Sequence, residues 1–473
     1  MNAIAPIAGR AQVDSVPTNS DIKPSAYGGV LLLVKAWAVL GGDRLATGIH
    51  WQGRGRGLLL LVLVALPVLS PRSILAVSAC CAGIVDPLWQ ALGWAAIVTQ
   101  RRLTRFVSGS SHDWLRVLGT MVAALNHHPA TRAGKDWIIA VDGTTIEKCY
   151  GPKLAGIRPV YDVVKKRLVD GYELVSGCIV GADMALPLGL LPHRKAESAE
   201  ERKVRRRRKA EPGELPSKLD LALELVKMAV AAGVSASTVV ADSGFTAMWW
   251  LREIVAMRLQ WLVSVRQDRR LRIGAEIRSI SDWCSQLSLG LVEVGNRGTS
   301  IWGSLLPEAT LLDKGCNLKG LACRPAYFER RNRQGRVIHR WYLVSSQLTW
   351  DLGMIWQTWK RRWAIEVLHR ECKQHLSLAD FHVRHWEGIV TLIACTSLRA
   401  SLLYFIRAME PCCRNLSIEA LVIFLREAAC LVELPIIGRV QVSLPPKLQA
   451  ETLWQDPTIP LSRQQWPIDL KAA

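Results

Sequence analysis

From about residue 28 to 130 apolar residues recur at helical spacing, with few strand-like runs and with breaks at Gly41-Gly42, Pro71 and Pro87. The pattern predicts a helical N-terminal region after a polar, turn-rich stretch at 1–27. The texture changes at Trp137. Trp137-Ile138-Ile139-Ala140-Val141 is an apolar run of strand length that ends on Asp142-Gly143-Thr144-Thr145. Tyr172–Val180 and Ala185–Leu191 predict two further strands and hence a meander. Ser217 and Asp220 have the spacing of a capping pair, Leu219–Ala232 carries apolar helical positions, and Gly233 ends them. Thr238–Ala241 is another short apolar run that ends on a carboxylate, Asp242; a Trp- and Met-rich helix and a strand at Trp261–Val265 follow. Strands with an interposed helix predict a mixed α/β sheet.

Between about 268 and 340 short β-like runs, such as Leu291–Val294 and Val337-Ile338, lie among Gly and Arg and predict an inserted β-rich segment. A strand at Trp341–Ser345 follows, then helical patterns to about Val432 and a Pro-containing, irregular end. No internal repeat is evident.

Charge narrows the partner. With 60 Lys+Arg against 40 Asp+Glu the chain of 473 residues carries a formal +20 and a pI near 9.7, which favours a polyanion, nucleic acid ahead of an anionic membrane. At 50% hydrophobic and 21% charged residues, neither wholesale disorder nor a polytopic membrane bundle fits. The twelve cysteines form no CxxC pair or Cys/His ligand spacing. Cys80–Cys81 and Cys412–Cys413 are adjacent, and Cys178 and Cys395 sit in apolar runs, so reduced thiols and a cytoplasmic setting are expected. Leu58–Leu69 is apolar but interrupted by Pro67, and Ile74–Val85 resumes the character; both read as buried helices rather than a membrane span. Arg205–Lys209 reads equally as a solvated linker or a DNA-backbone contact, and Trp249-Trp250 as core. His127, His128 and His369 show no partner pattern.

The segment Trp359–Lys373 is the most informative. At 100° per residue, Arg362, Glu366 and Lys373 fall at about 300°, 340° and 320° from Trp359, so all four line one stripe of a helix. Ala364, Ile365, Leu368, Cys372 and Leu376 occupy the opposite arc, which suits burial, with Arg361 as the exception. Periodicity alone describes a surface helix with an Arg362–Glu366 ion pair.

The stripe also resembles the Y-R-E-K signature of DDE transposases of bacterial insertion sequences, in which Tyr, Arg, Glu and Lys are separated by two, three and six residues. Trp359, Arg362, Glu366 and Lys373 match that spacing, with tryptophan in place of the usual tyrosine. Arg362-Trp363-Ala364-Ile365-Glu366 resembles the family's R-W-x-I-E core. Val141-Asp142-Gly143-Thr144-Thr145 and Ala241-Asp242-Ser243-Gly244-Phe245 resemble its first and second aspartate motifs.

The resemblance, over about residues 135–405, implies an α/β fold: an RNase H-like catalytic core interrupted by a β-rich insertion, with a helical N-terminal domain and a helical C-terminal region. The division expected is a flexible tail at 1–27, a helical DNA-end-binding domain at 28–134, the core at 135–267 and 341–390, the insertion at 268–340, and a helical and irregular C-terminal region at 391–473. Asp142, Asp242 and Glu366 would be catalytic ligands of two Mg²⁺ ions, with Mn²⁺ as a substitute, because phosphoryl transfer needs an activated nucleophile and a stabilised leaving oxygen. Arg362, Lys373 and Trp359 would contact DNA. The implied partners are duplex DNA at terminal inverted repeats and target DNA, with a homodimer on DNA and no membrane. A catalytically silent DNA-binding descendant is the alternative, and a basic membrane-associated protein built around Leu58–Val85 is a third reading.

Overall fold

The structure, a computed structural model, describes residues 20–25, 29–52, 55–69, 98–108, 112–148, 154–162, 164–194, 216–286, 290–296, 300–313, 316–381, 383–427, 430–435 and 441–443. Ile74–Val85, the Cys80–Cys81 pair and the basic run Arg205–Lys209 lie outside them. Among the described residues the longer N-terminal helices, α1 (Val30–Val39), α2 (Arg56–Leu69), α3 (Gln100–Ser108) and α4 (Trp114–His127), precede the first core strand.

That strand, β1 (Ile138–Glu147), begins a meander with β2 (Arg158–Asp162), β3 (Arg167–Val180) and β4 (Ala185–His193). β3 pairs antiparallel with β1 on one side; on the other, its first residues pair with β2 and its remainder with β4. Helix α5 (Lys218–Ala231) carries the chain to β5 (Thr238–Ala241), and α6 (Met248–Ala256) carries it to β6 (Gln260–Ser264). β5 pairs parallel with β1, and β6 parallel with β5. Ile138 to Val141 are all buried, as are Thr238 to Ala241, so both faces of these strands are covered. The expected α5 cap is present: Ser217 Oγ accepts from the Asp220 N–H at 3.2 Å, and Asp220 accepts in return from the Ser217 N–H at 2.8 Å. Gly233, with φ +71°, closes the helix.

The sheet continues beyond β6 through strands of the Gly- and Arg-rich segment. These are β7 (Arg270–Ile273), β8 (Glu276–Ser279), β9 (Val292–Asn296), β10 (Ser300–Leu305), β11 (Ala309–Asp313), β12 (Cys316–Arg331) and β13 (Val337–Ser345). β13 joins the two parts, pairing with β12 along its length and with β6 at Leu343–Ser345. Helices α7 (Leu352–Arg361), α8 (Trp363–Gln374), α9 (Trp386–Met409) and α10 (Ile418–Glu427) follow. Ser20–Ser25, read as loose tail, instead pairs antiparallel with Cys430–Pro435; its only large apolar residue is Ile22, so no periodicity announces it.

Helix α9 is the one helix among the described residues long and apolar enough to cross a membrane, and it is largely buried, packed against β4 and against α1, α2, α3 and α4. Its Arg399 explains why α2 is not interrupted by Pro67 but runs through it to Leu69. Proline has no N–H for the carbonyl of Leu63, four residues earlier. Arg399 Nη2 donates to that oxygen at 2.9 Å and Nε to the Val64 oxygen at 2.8 Å. Nη1 donates to the carbonyl of Leu376, two residues past the end of α8. Burial leaves the guanidinium pKa lowered to about 10. Cys178, Cys284, Cys323, Cys372 and Cys395 are free thiols, with pKa values raised by burial.

Candidate active site

Parallel register aligns Val141 of β1 with Ala241 of β5, so Asp142 and Asp242 are the next residue on each strand. Both carboxylates therefore lie at the C-terminal ends of adjacent parallel strands, where ligands of α/β sheets commonly bind. Beyond this point the backbones diverge. Asp142 continues in β1 opposite Ser176 of β3, and its Oδ1 accepts from the Gly143 N–H at 2.7 Å. Asp242 instead caps the single turn Ser243–Phe245, its Oδ1 accepting from the Gly244 N–H at 2.8 Å.

The third carboxylate arrives on a helix, but not on the continuous helix that the stripe predicted. α7 ends at Arg361 and α8 starts at Trp363, with Arg362 between them. The cause is a tightened turn: the Arg362 N–H donates to Trp359 at 3.1 Å and the Ile365 N–H to Arg362 at 3.0 Å, i to i−3 rather than i to i−4. Ile365, Leu368, Cys372 and Leu376 are buried as expected, and the exceptional Arg361 donates to the Asp136 carbonyl at 2.6 Å.

From this turn Arg362 reaches two of the carboxylates. Its Nη1 donates to Asp142 Oδ2 and its Nη2 to Glu366 Oε1, the latter at 2.5 Å. The Trp359 ring supports the guanidinium at 5.0 Å. Trp359 itself is buried, with one face spent on Arg362 rather than offered to solvent. Burial pushes the Asp142 pKa up to about 6; Arg362 opposes the rise, while the charges of Asp242 and, more weakly, Glu366 add to it. Asp142, Asp242 and Glu366 are thus within electrostatic reach of one another.

Lys373 lies elsewhere. It is exposed on the last turn of α8, within electrostatic reach of Asp162 at the end of β2. The Asp162 carboxyl is held below its usual range first by the Lys165 N–H, with Lys373 contributing. Of the neighbouring tryptophans, Trp250 is fully buried but Trp249 is 42% exposed, so only the first is core.

Lys148 carries no signal in the sequence, and His369, expected there as an ordinary polar residue, is instead buried and partnered. Lys148, at the end of β1, is buried and donates Nζ to the carbonyls of Ala379 at 2.5 Å and Phe381 at 2.7 Å, with the Phe381 ring 3.6 Å away. Burial lowers its pKa to about 8. It ties the strand of Asp142 to the chain leaving α8. His369, one turn after Glu366, is also buried, with Nε2 2.5 Å from Ser176 Oγ. Burial, with Lys373 and Arg362 adding, lowers its pKa to about 3. In neither case does sequence spacing betray the partner.

Residues 89–279 match the family model described as DDE superfamily endonuclease, and residues 216–401 match that of the transposase DDE domain. The matches support a DDE transposase. No curated protein matches the chain significantly. The first match spans Asp142 and Asp242 and the second Asp242 and Glu366, so the three carboxylates fall within the matched stretch. The large mixed sheet is consistent with a DDE nuclease-like core. Both families imply a metal-dependent nuclease.

The donors suit a hard divalent cation: three carboxylates, one with a raised pKa that a cation would relieve. They are not gathered for it, since among the described residues no three Asp, Glu, His or Cys side chains form a preassembled metal cluster. Arg362 provides the compensating charge between Asp142 and Glu366 instead.

Proposed function

We propose that the chain is a DNA transposase that cleaves the ends of its own mobile element and joins them to target DNA, with Asp142, Asp242 and Glu366 as ligands of two divalent ions, Mg²⁺ or Mn²⁺. The observation that carries this reading is the placement of two carboxylates at adjacent parallel strand ends and of a third on α8, with one arginine bridging Asp142 and Glu366. The meander followed by two parallel strands supports an RNase H-like core, and the spacing from Trp359 to Lys373 supports the Y-R-E-K subgroup. When bound, the metal would supply an activated nucleophile and stabilise the leaving oxygen.

The chain's own residues supply position and charge. Asp142 must be ionised to act as a ligand, and Arg362 favours that form. Once the carboxylates are otherwise neutralised, the Arg362 fork is released to hold a non-bridging phosphate oxygen, for which its planar, bidentate geometry suits it. Lys373 adds a point charge farther along the backbone. The +20 net charge supports duplex DNA at terminal repeats and at the target as the partners, contacted in part by the N-terminal helices, and a nucleoid-associated location when bound. Assembly as a homodimer on DNA belongs to the same proposal.

The test is the set Asp142→Asn, Asp242→Asn and Glu366→Gln, assayed for nicking of element-end duplexes in Mg²⁺. Each variant should bind DNA as the wild type does and cleave at least about 100-fold more slowly, roughly 2.7 kcal/mol of barrier. Near wild-type cleavage by any one removes that residue from the set.

A further inference from the structure

We propose that His369 and Ser176 are a buried positioning pair that fixes the distance between the Asp142 strand and the Glu366 helix. The proposal rests on the functional reading above, since it assigns these residues to the same site. His369 lies three residues after Glu366 on α8, and Ser176 stands directly across from Asp142 in the antiparallel register of β1 and β3. Both are buried, at 7% and 0% exposure, and their side chains meet at 2.5 Å. Ser176 Oγ also lies 3.2 Å from the Asp142 carbonyl oxygen.

Proton counting gives this contact a direction. Serine has one O–H, which it donates to the Asp142 carbonyl, so the imidazole must donate its Nε2–H to Ser176 Oγ. The chain of contacts therefore runs from the Glu366 helix through His369 and Ser176 to the backbone of Asp142. Ile365, Leu368 and Cys372 already bury the apolar side of α8, and an apolar residue at 369 could fill the same space. A buried polar pair adds what packing does not, a defined distance and orientation. That matters because the other link between the two carboxylates, Arg362, is the one the proposed function releases. With Arg362 withdrawn, the His369–Ser176 contact still joins helix to strand at the level of the site.

The experiment is Mn²⁺ titration of the full chain, followed by electron paramagnetic resonance, with thermal unfolding in chelator as the fold control and Asp142→Asn as the baseline. His369→Phe and Ser176→Ala should each bind Mn²⁺ at least about 10-fold more weakly, the range seen when residues that orient metal ligands are lost. The double variant should be no worse than the weaker single one. His369→Gln, whose terminal amide can still donate near the same point, should recover affinity to within about threefold of wild type, an outcome that generic packing loss does not produce. If His369→Phe fails to fold, Ser176→Ala, which removes one oxygen, decides. Wild-type affinity in a folded Ser176→Ala or His369→Phe variant overturns the proposal, as does His369→Gln binding as weakly as His369→Phe. A folded wild type that binds no Mn²⁺ above the Asp142→Asn baseline overturns the functional reading itself, and the pair's role with it.

Discussion

Asp142 should make the metal-free protein less stable as the pH rises from about 4 to above 6. Its pKa is 3.8 ordinarily and about 6 in the fold, so the folded state binds its proton more tightly than the unfolded chain does. For an acid shifted upward the sign is fixed: the favourable term is complete below 3.8 and is lost as pH climbs through about 6. The rise from 3.8 to about 6 corresponds to about 3 kcal/mol. For a chain of 473 residues the unfolding entropy near the midpoint is about 1 kcal/mol per degree, so the effect is about 3 °C in Tm. The assay is thermal unfolding in chelator at half-unit steps from pH 4 to 7.5, for wild type and Asp142→Asn. Subtracting the two profiles removes carboxylates that titrate lower, such as Glu173, whose pKa His193 and Lys218 pull down to about 2 against the opposing effect of burial. The difference should slope across pH 4–6 and level off above about 7. Parallel profiles would show that Asp142 is neither desolvated nor crowded by Asp242 and Glu366, and the account of the site's electrostatics would be wrong.

In cleavage assays at saturating DNA, Arg362→Ala should lose about 100-fold and Lys373→Ala about 10-fold, because a charge-assisted hydrogen bond is worth about 1.5–3 kcal/mol and only the arginine sits at the carboxylates; a larger loss for Lys373 would reverse the assignment. Arg399→Leu should lower stability by about 3 kcal/mol, since it removes bonds to the carbonyls of Leu63, Val64 and Leu376 at about 1 kcal/mol each and leaves Leu63, opposite Pro67, without a helical donor. An unchanged Tm would mean that α2 does not depend on that guanidinium to pass through Pro67.

What the sequence disclosed and what it hid divide along physical lines. β1 and β5 were legible because a strand covered on both faces reads as an unbroken apolar run, and each run stops on its aspartate. The α5 cap was legible because Ser217 and Asp220 satisfy each other locally. β2 was missed because it lies at the margin of the sheet and buries only Val160, leaving no alternation to read. The turn at Arg362 was missed because no glycine or proline marks it and Arg362 keeps helical dihedrals, φ −53° and ψ −30°. His369 has a partner 193 residues away, and Lys148 has two, 231 and 233 residues away, both of them backbone carbonyls, which carry no residue-type signal at all. Arg399 belongs with them: its acceptors are three carbonyls and a threonine hydroxyl, so a fully buried cation arose where a search for carboxylate partners would have found none.

The same turn resolves a tension in the charge pattern. Three carboxylates placed within electrostatic reach by strand ends and a helix repel one another, and the raised Asp142 pKa, due first to burial, records part of that cost. A lysine at 362 would offer a single point charge; the arginine fork meets Asp142 and Glu366 from two separate nitrogens, so one side chain spans the strand and the helix. The guanidinium in turn needs a flat support that leaves all its N–H groups free, and the face of Trp359 provides one without consuming a donor. What Arg362 uses at position 359 is therefore the ring face, which tryptophan and tyrosine share, and not a hydroxyl, so a tyrosine there would preserve the support on which the arginine's position depends.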